Sequence, residues 1–346
     1  MFVGLDVHKK YCYASVIDEE GQLVSEGRFL NQLEELDSFL LKLEPGSEVV
    51  LEATAIWEQL YDRMEEQGFE VTLAHPLKVR AIASAKVKTD RIDSQTLAQL
   101  LRANLIPSSY VPQLPMRTLR KEVRHRATLV RWRTQVKNNI HLLLARQGLQ
   151  FSKTDLFGKA GMAFLHSLML EEDMQSVLED YLAILQILNE RITLTTKHLQ
   201  QKSKTIPQVE LLTSIPGIGT YSALLLLAEI GDIGRFSNSK QLCSYAGLVP
   251  RVHQSGMTEY YGRITKEGSR WMRWILVQAV HQTVRRPNVI QRFYKKLAHK
   301  KGTKVALVAS ARKLLCYIYQ MLKQEVRFEE LKVVQAQGPP AFATGH

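Results

Sequence analysis

The sequence predicts a mixed α/β N-terminal domain, a long helical middle and a mainly α C-terminal domain with a helix-hairpin-helix element. Three observations carry this. Residues 1–110 alternate strand and helix signals, residues 116–147 contain neither glycine nor proline, and residues 207–229 place an Ile-Pro-Gly-Ile-Gly turn before an apolar helix. Strands first and βαβ units afterwards is the order expected of a sheet covered by helices.

Phe2–Val7, Tyr11–Ile17 and Leu23–Leu30 read as three successive strands, with Glu19, Glu20 and Gly21 turning the chain between the last two. Leu33, Leu36, Phe39, Leu40 and Leu43 recur at helical spacing. A strand Glu48–Glu52, a helix Trp57–Gln67 and a strand Phe69–His75 follow, and then a helix Asp90–Asn104 turns Ile92, Leu97, Leu100 and Leu101 inward.

From Pro115 to Gln147 one helix of about 50 Å is expected at 1.5 Å per residue. It carries nine basic residues (Arg117, Arg120, Lys121, Arg124, Arg126, Arg131, Arg133, Lys137, Arg146) against Glu122 alone. A solvated helix face usually mixes its charges, so this imbalance favours contact with nucleic acid. A second helix, Leu170–Lys204, shows a heptad seam at Met174, Leu178, Tyr181, Leu185, Leu188, Ile192, Thr195 and Leu199. The seam suits an antiparallel hairpin with the basic helix or a coiled coil with another subunit, and the pattern does not separate them.

In the helix-hairpin-helix element, Gly217 and Gly219 would leave backbone N–H groups open to a phosphate; an ordinary helix turn has the same pattern. Gly247–Gly262 suggests a loop or short hairpin, and helices should run from Ser269 to Leu322. Between Arg263 and Lys304 twelve basic residues, among them Lys266, Arg270 and Arg273, face Glu267 alone, which predicts a second cationic surface. The domains are therefore placed at 1–110, 111–205 and 206–330, with 331–346 read as a disordered tail.

With 346 residues the chain is long enough for two or three domains, and a net charge of +12 favours a polyanionic partner over a membrane. Cys12, Cys243 and Cys316 show no paired spacing and are odd in number, so the pattern suggests neither a disulfide framework nor a zinc site. No secretory leader and a cytoplasmic location are expected.

Four acids stand out. Asp6 ends the first strand, Glu52 ends a later one, and Asp90 and Asp93 lie three apart on one helix face. Each sits beside apolar residues, where an unpaired carboxylate is costly to bury. Four oxygen donors suit Mg²⁺ or Mn²⁺. Asp90 and Asp93 alone could equally cap their helix.

Gly4-Leu5-Asp6-Val7-His8-Lys9, Glu52-Ala53-Thr54 and Lys88-Thr89-Asp90-Arg91-Ile92-Asp93 resemble the DEDD transposases of bacterial insertion sequences, relatives of the Piv-type DNA invertases and described as bridge-RNA-guided recombinases. Ile215-Pro216-Gly217-Ile218-Gly219, Leu227-Ala228-Glu229-Ile230-Gly231-Asp232, Arg235-Phe236 and Tyr245-Ala246-Gly247-Leu248-Val249-Pro250 carry the same resemblance into the C-terminal third. Ser94 and Ser269 depart from the Ala and Asn expected there.

The resemblance implies an RNase H-like (RuvC-like) fold for residues 1–110 and a transposase domain with a catalytic serine at 206–330. It also implies Ser255, in Gln254-Ser255-Gly256, as nucleophile, with neighbouring Arg251 and His253 available to a phosphate. The activity implied is excision and insertion of an insertion sequence through a phosphoserine intermediate. Implied partners are donor and target DNA, a guide non-coding RNA and further copies of the chain, the metal acids and the serine coming from different subunits. The residues alone also admit a metal-dependent nuclease or Holliday-junction resolvase, or a non-catalytic nucleic-acid-binding protein.

Overall fold

The computed structural model describes residues 1–83, 89–255 and 258–331. The chain divides into two compact units, Met1–Val111 and Pro112–His346. The expected tail lies, beyond Leu331, outside the described residues.

The first unit is built on five strands, β1 (Phe2–Val7), β2 (Tyr11–Ile17), β3 (Leu23–Leu30), β4 (Glu48–Glu52) and β5 (Glu70–Ala74), in the order β3-β2-β1-β4-β5. β1, β2 and β3 form an antiparallel meander, while β4 joins β1 in parallel and β5 joins β4 in parallel. Helices α1 (Leu33–Leu40), α2 (Trp57–Glu66), α3 (Pro76–Ile82) and α4 (Asp90–Arg102) complete it. The period-2 alternation of β1 and β2 turns Val3, Leu5, Val7, Cys12, Ala14 and Val16 onto Leu36, Leu40, Leu60 and Met64 of α1 and α2. The opposite face, at Val50 and Ala74, meets Leu97, Leu100 and Leu101 of α4. Each buried Val, Leu or Met among them contributes roughly 1.5–3 kcal/mol.

Gly4 lies under α4 because nothing larger fits: a Cβ there would stand 2.0 Å from the Ser94 carbonyl oxygen and 2.7 Å from the Ala98 nitrogen. Ser94, on the same turn of α4, is fully buried and hydrogen-bonded to Ser15 Oγ at 2.7 Å. This polar clasp gives the hydroxyl at position 94 a partner that an alanine would not need.

In the second unit, α5 (Leu114–Arg146) and α7 (Glu172–Ser203) form an antiparallel hairpin closed at its far end by α6 (Lys159–Ser167). Ile140, Leu143 and Leu144 pack with Leu178, Leu182 and Leu185, and Leu129 packs with Leu188 and Ile192. The heptad seam of α7 is thus used within the chain. Met174, Tyr181 and Thr195 fall at its margins, and Leu182 joins its buried face.

Next come α8 (Pro207–Thr213), α9 (Thr220–Ile230), α10 (Ser239–Tyr245), the antiparallel hairpin β6 (Pro250–Ser255) and β7 (Thr258–Ile264), α11 (Arg270–Thr283), α12 (Val289–Lys301) and α13 (Thr303–Gln324). α9 is the hub, buried at every position from Ala223 to Ile230. α13 has the length and composition of a membrane span, yet Leu314, Leu315, Ile318 and Met321 are wholly inside the core around α9. Ser269 caps α11 by accepting from Met272 N at 3.1 Å, the role an asparagine would fill.

Candidate functional site

Asp6 is the penultimate residue of β1 and Glu52 the last of the parallel neighbour β4. The β1–β4 register pairs Leu5 with Leu51, so the two acids occupy the next position on each strand. Asp90 and Asp93 open α4, whose N-terminus is capped by Thr89 Oγ1 accepting from Ile92 N at 3.2 Å. Thr89 therefore takes the capping role considered for Asp90. The packing of α4 over Gly4 brings this end of the helix to the C-terminal edge of β1.

His8, just past β1, joins the acids. Its Nε2 is 3.1 Å from Asp6 Oδ2 and 3.2 Å from Asp90 Oδ1. Ligand atoms of Asp6, His8 and Asp90 lie within 4.8 Å of one another. Tyr11 donates its hydroxyl to Asp90 Oδ2 at 2.9 Å, and Arg28 lies 3.5 Å above the Tyr11 ring. Burial pushes the Asp6 carboxyl above the usual carboxylate range; His8 opposes this, and the charges of Asp93 and Asp90 add to it. Asp93 is therefore electrostatically part of the group. Cys12 contributes no thiolate at neutral pH, since burial and then the Asp6 charge push its thiol up to about 12.

Converging like charges, hard carboxylate oxygens and one imidazole nitrogen fit a divalent cation, and Mn²⁺ tolerates the nitrogen donor better than Mg²⁺ does. The structure brings Asp6 and Asp90 together and sets Asp93 within their field. Glu52 stands at the adjoining strand end but outside the compact trio. Pattern reading passed over His8 and Tyr11. His8 is two residues beyond Asp6, the spacing that puts side chains on one face of an extended strand, and this was the available signal.

Ser255 is the last residue of β6, opposite Thr258 across the hairpin, and Gly256 lies outside the described residues, as does Lys88. Among the basic residues nominated for nucleic acid, several are committed to the fold. Arg124 donates to both carboxylate oxygens of Glu229, at 2.7 and 2.8 Å, and Glu229 is only 1% exposed. Arg120 donates to the carbonyls of Ala228 at 2.8 Å and Glu229 at 3.4 Å, closing the C-terminus of α9. Arg273 donates to the carbonyls of Ala246, Glu267 and Gly268, and burial lowers its pKa. Arg117 is buried, and Lys137 is half-buried with Nζ 4.5 Å from the Phe157 ring.

Lys121, Arg131, Arg251, Arg263, Lys266 and Arg270 are exposed. They are joined by the outer face of α12, where Arg292, Lys295, Lys296 and Lys300 all reach solvent. Gly217 is required by the fold: its φ is +95°, and a Cβ would stand 2.7 Å from Gln282 Cβ and 2.8 Å from the Thr283 nitrogen of α11. Gly219, at the N-cap of α9, has open space around it.

Two family models match the chain. An IS110-type DEDD model described as a transposase covers residues 3–147, and one described as transposase IS116/IS110/IS902 family covers residues 209–295. Among curated proteins, the probable family 20 transposase of Pseudomonas aeruginosa is 27% identical over 93% of this chain and 97% of its own length. The transposase for insertion sequence element IS1111A of Coxiella burnetii is 29% identical over 93% of this chain and 90% of its own. The pilin gene-inverting protein of Moraxella lacunata is 27% identical over 82% of each. With one model matched over residues 3–147, the other over residues 209–295, and relatives aligned across both, the chain is similar along most of its length to the DEDD transposases of the IS110/IS116 type.

Proposed function

We propose that the protein is a DNA recombinase that excises and inserts an insertion sequence, with Asp6, Glu52, Asp90 and Asp93 forming a Mg²⁺ or Mn²⁺ site and Ser255 acting as nucleophile. The convergence of Asp6, His8 and Asp90 carries the metal half of this reading. Similarity to the transposase family models and the names of the relatives support the DNA half. The same reading treats residues 1–110 as RuvC-like, 111–205 as a helical linker and 206–330 as the transposase domain.

When bound, the cation supplies charge neutralisation at the scissile phosphate. The residues do the rest. Asp6, His8 and Asp90 would hold it, Asp93 and Glu52 complete the acidic surround, and Tyr11 orients the Asp90 carboxylate through its hydrogen bond. Ser255 Oγ forms a bond to phosphorus as the bond from phosphorus to the departing sugar oxygen breaks. The serine proton is released, and the departing oxygen takes up a proton. Reversal by a different sugar hydroxyl rejoins the DNA without an outside energy source. The exposed cations of β6, β7, α11 and α12 stand ready for phosphates.

The reading extends to a guide non-coding RNA, to a homo-oligomer whose subunits each contribute part of the working site, and to action in the bacterial cytoplasm. Base pairing by a guide would account for broad cationic surfaces without a base-reading motif.

A metal-only nuclease is the second reading, favoured by the clustering of the described metal-binding candidates in the Met1–Val111 unit. Ser255→Ala separates the two. With purified protein, divalent metal, guide RNA and both DNA partners, a protein-DNA adduct in wild type and none in Ser255→Ala supports the serine scheme. Full cleavage and joining by that variant would sink it. Asp90→Asn should retain DNA binding and lose strand cleavage in either case; binding without any recombinant product from wild type would leave a non-catalytic protein.

A further inference from the structure

The second unit holds an open groove of about 790 Å³ whose lining is chemically uneven. One wall is α5, with Ala127, Val130, Arg131, Gln135, Asn138 and Asn139; the other is the first turn and a half of α11, with Arg270, Trp271 and Trp274. Among the described residues no aspartate or glutamate lines it. Trp271 and Trp274 stand edge to face, 6.2 Å apart at 81°, and the Arg270 guanidinium lies 5.4 Å from the Trp271 ring centre. Trp271 is packed against the core around α9, so it is fixed, whereas Trp274 is 40% exposed.

An exposed indole backed by a rigid one is a poor surface to leave in water unless something flat covers it. Primary amides beside it match the hydrogen-bonding edges of a nucleobase, and paired guanidiniums match the phosphates on either side. A duplex does not offer a base face to a groove. An unpaired strand does.

We propose that this groove binds an unpaired nucleobase of a single strand. The base stacks on Trp274, its edge meets Gln135, Asn138 or Asn139, and Arg131 and Arg270 take the flanking phosphates. The proposal rests on the nucleic-acid-binding reading above and adds a strand class to it. Displaced single strands and unpaired RNA share this chemistry, and the test separates them.

Full-length protein is titrated against fluorescein-labelled dT12, rU12 and a blunt 12-base-pair duplex, read by anisotropy at fixed salt. Trp274→Ala should weaken binding of one or both single strands about tenfold, equivalent to ~1.4 kcal/mol, and change duplex binding less than about twofold. Trp274→Phe, which keeps a stacking face, should restore most of the loss, and this separates stacking from damage to the fold. Arg131→Ala should weaken the same strand and flatten its salt dependence. A larger effect on rU12 assigns the groove to RNA, and a larger effect on dT12 to DNA. Equal losses on duplex and single strand, or no loss with Trp274→Ala while wild type binds duplex, would overturn the groove and leave the general reading standing. Failure of wild type to bind any of the three probes would overturn both.

Discussion

Gly4→Ala tests how the candidate metal site is positioned, because it touches none of the acids and yet should separate them. The added Cβ would stand 2.0 Å from the Ser94 carbonyl oxygen. To reach the 3.4 Å of ordinary contact, α4 must move away from β1 by at least about 1.4 Å. Both colliding groups are backbone, so no rotamer change relieves the clash, and the cost should fall near the top of the usual overpacking range, about 3 kcal/mol. The same shift carries Asp90 away from His8 and Tyr11, whose contacts of 3.2 and 2.9 Å have little slack.

We expect Mn²⁺ affinity, measured by paramagnetic titration, to fall at least about tenfold. Strand cleavage should fall about a hundredfold, as for other displacements near 1 Å in a reacting site. Gly27→Ala is the control, since a Cβ there meets nothing within 4 Å; it should stay within about 0.5 kcal/mol of wild type. Wild-type stability and Mn²⁺ affinity in Gly4→Ala would refute the argument that this glycine sets the distance between helix and strand.

Arg124→Met should destabilise the second unit by about 3 kcal/mol, because it strands the buried Glu229 carboxylate; Arg124→Met with Glu229→Leu should recover most of that in urea unfolding, and a single variant as stable as wild type would return Arg124 to the list of ligand contacts. Cys316 lies 3.6 Å from Cys243, and the hydrogen bond from that thiol, with help from Ser239, Arg312 and Lys313, lowers the Cys316 pKa against the effect of burial. Its alkylation by iodoacetamide should therefore set in at lower pH than for an ordinary thiol; a midpoint at or above the ordinary thiol value would contradict the pairing. Asp37 accepts from Arg63 at 2.8 and 2.7 Å and from Gln67 at 2.6 Å, and the Arg63 hydrogen bonds, the largest cause, hold its carboxyl below the usual 3.8. A depressed folded-state pKa gives stability that is present above the unfolded value and is lost as pH falls through the folded one, so Asp37→Asn should flatten the acid side of the first unit's stability curve; an unchanged slope would count against the clamp.

Periodicity made the five strands of the first unit and the long helices legible, because each buries a regular face. It passed over α3 and α6. α3 buries only Val79 and opens on a proline, and α6 contains Gly161, which is needed because a Cβ would stand 2.0 Å from the Leu156 carbonyl oxygen. Those requirements come from distant packing and leave no repeat in the sequence. Asp6, Glu52, Asp90 and Asp93 stand out in the sequence because strand ends and a helix start are local features; that Asp6 meets Asp90 and His8 is decided by packing. Arg120 and Arg124 looked like free cations since their partners lie more than a hundred residues away. A charge run reports how many guanidiniums there are; which of them reach solvent is decided by tertiary structure.

The central place of β1 in its sheet also governs when the candidate metal site can assemble. The β1–β2–β3 meander can pair locally as soon as it is made, but Asp6 meets Asp90 only after β4 has added in parallel and α4 has docked over Gly4. Closing such sequence-distant contacts is the slow part of folding. A nascent or stalled chain that ends before α4 is complete at Arg102 thus lacks the docked helix that holds Asp90 beside Asp6, and under the proposed function DNA-cutting competence would be one of the last properties the first unit acquires during its synthesis.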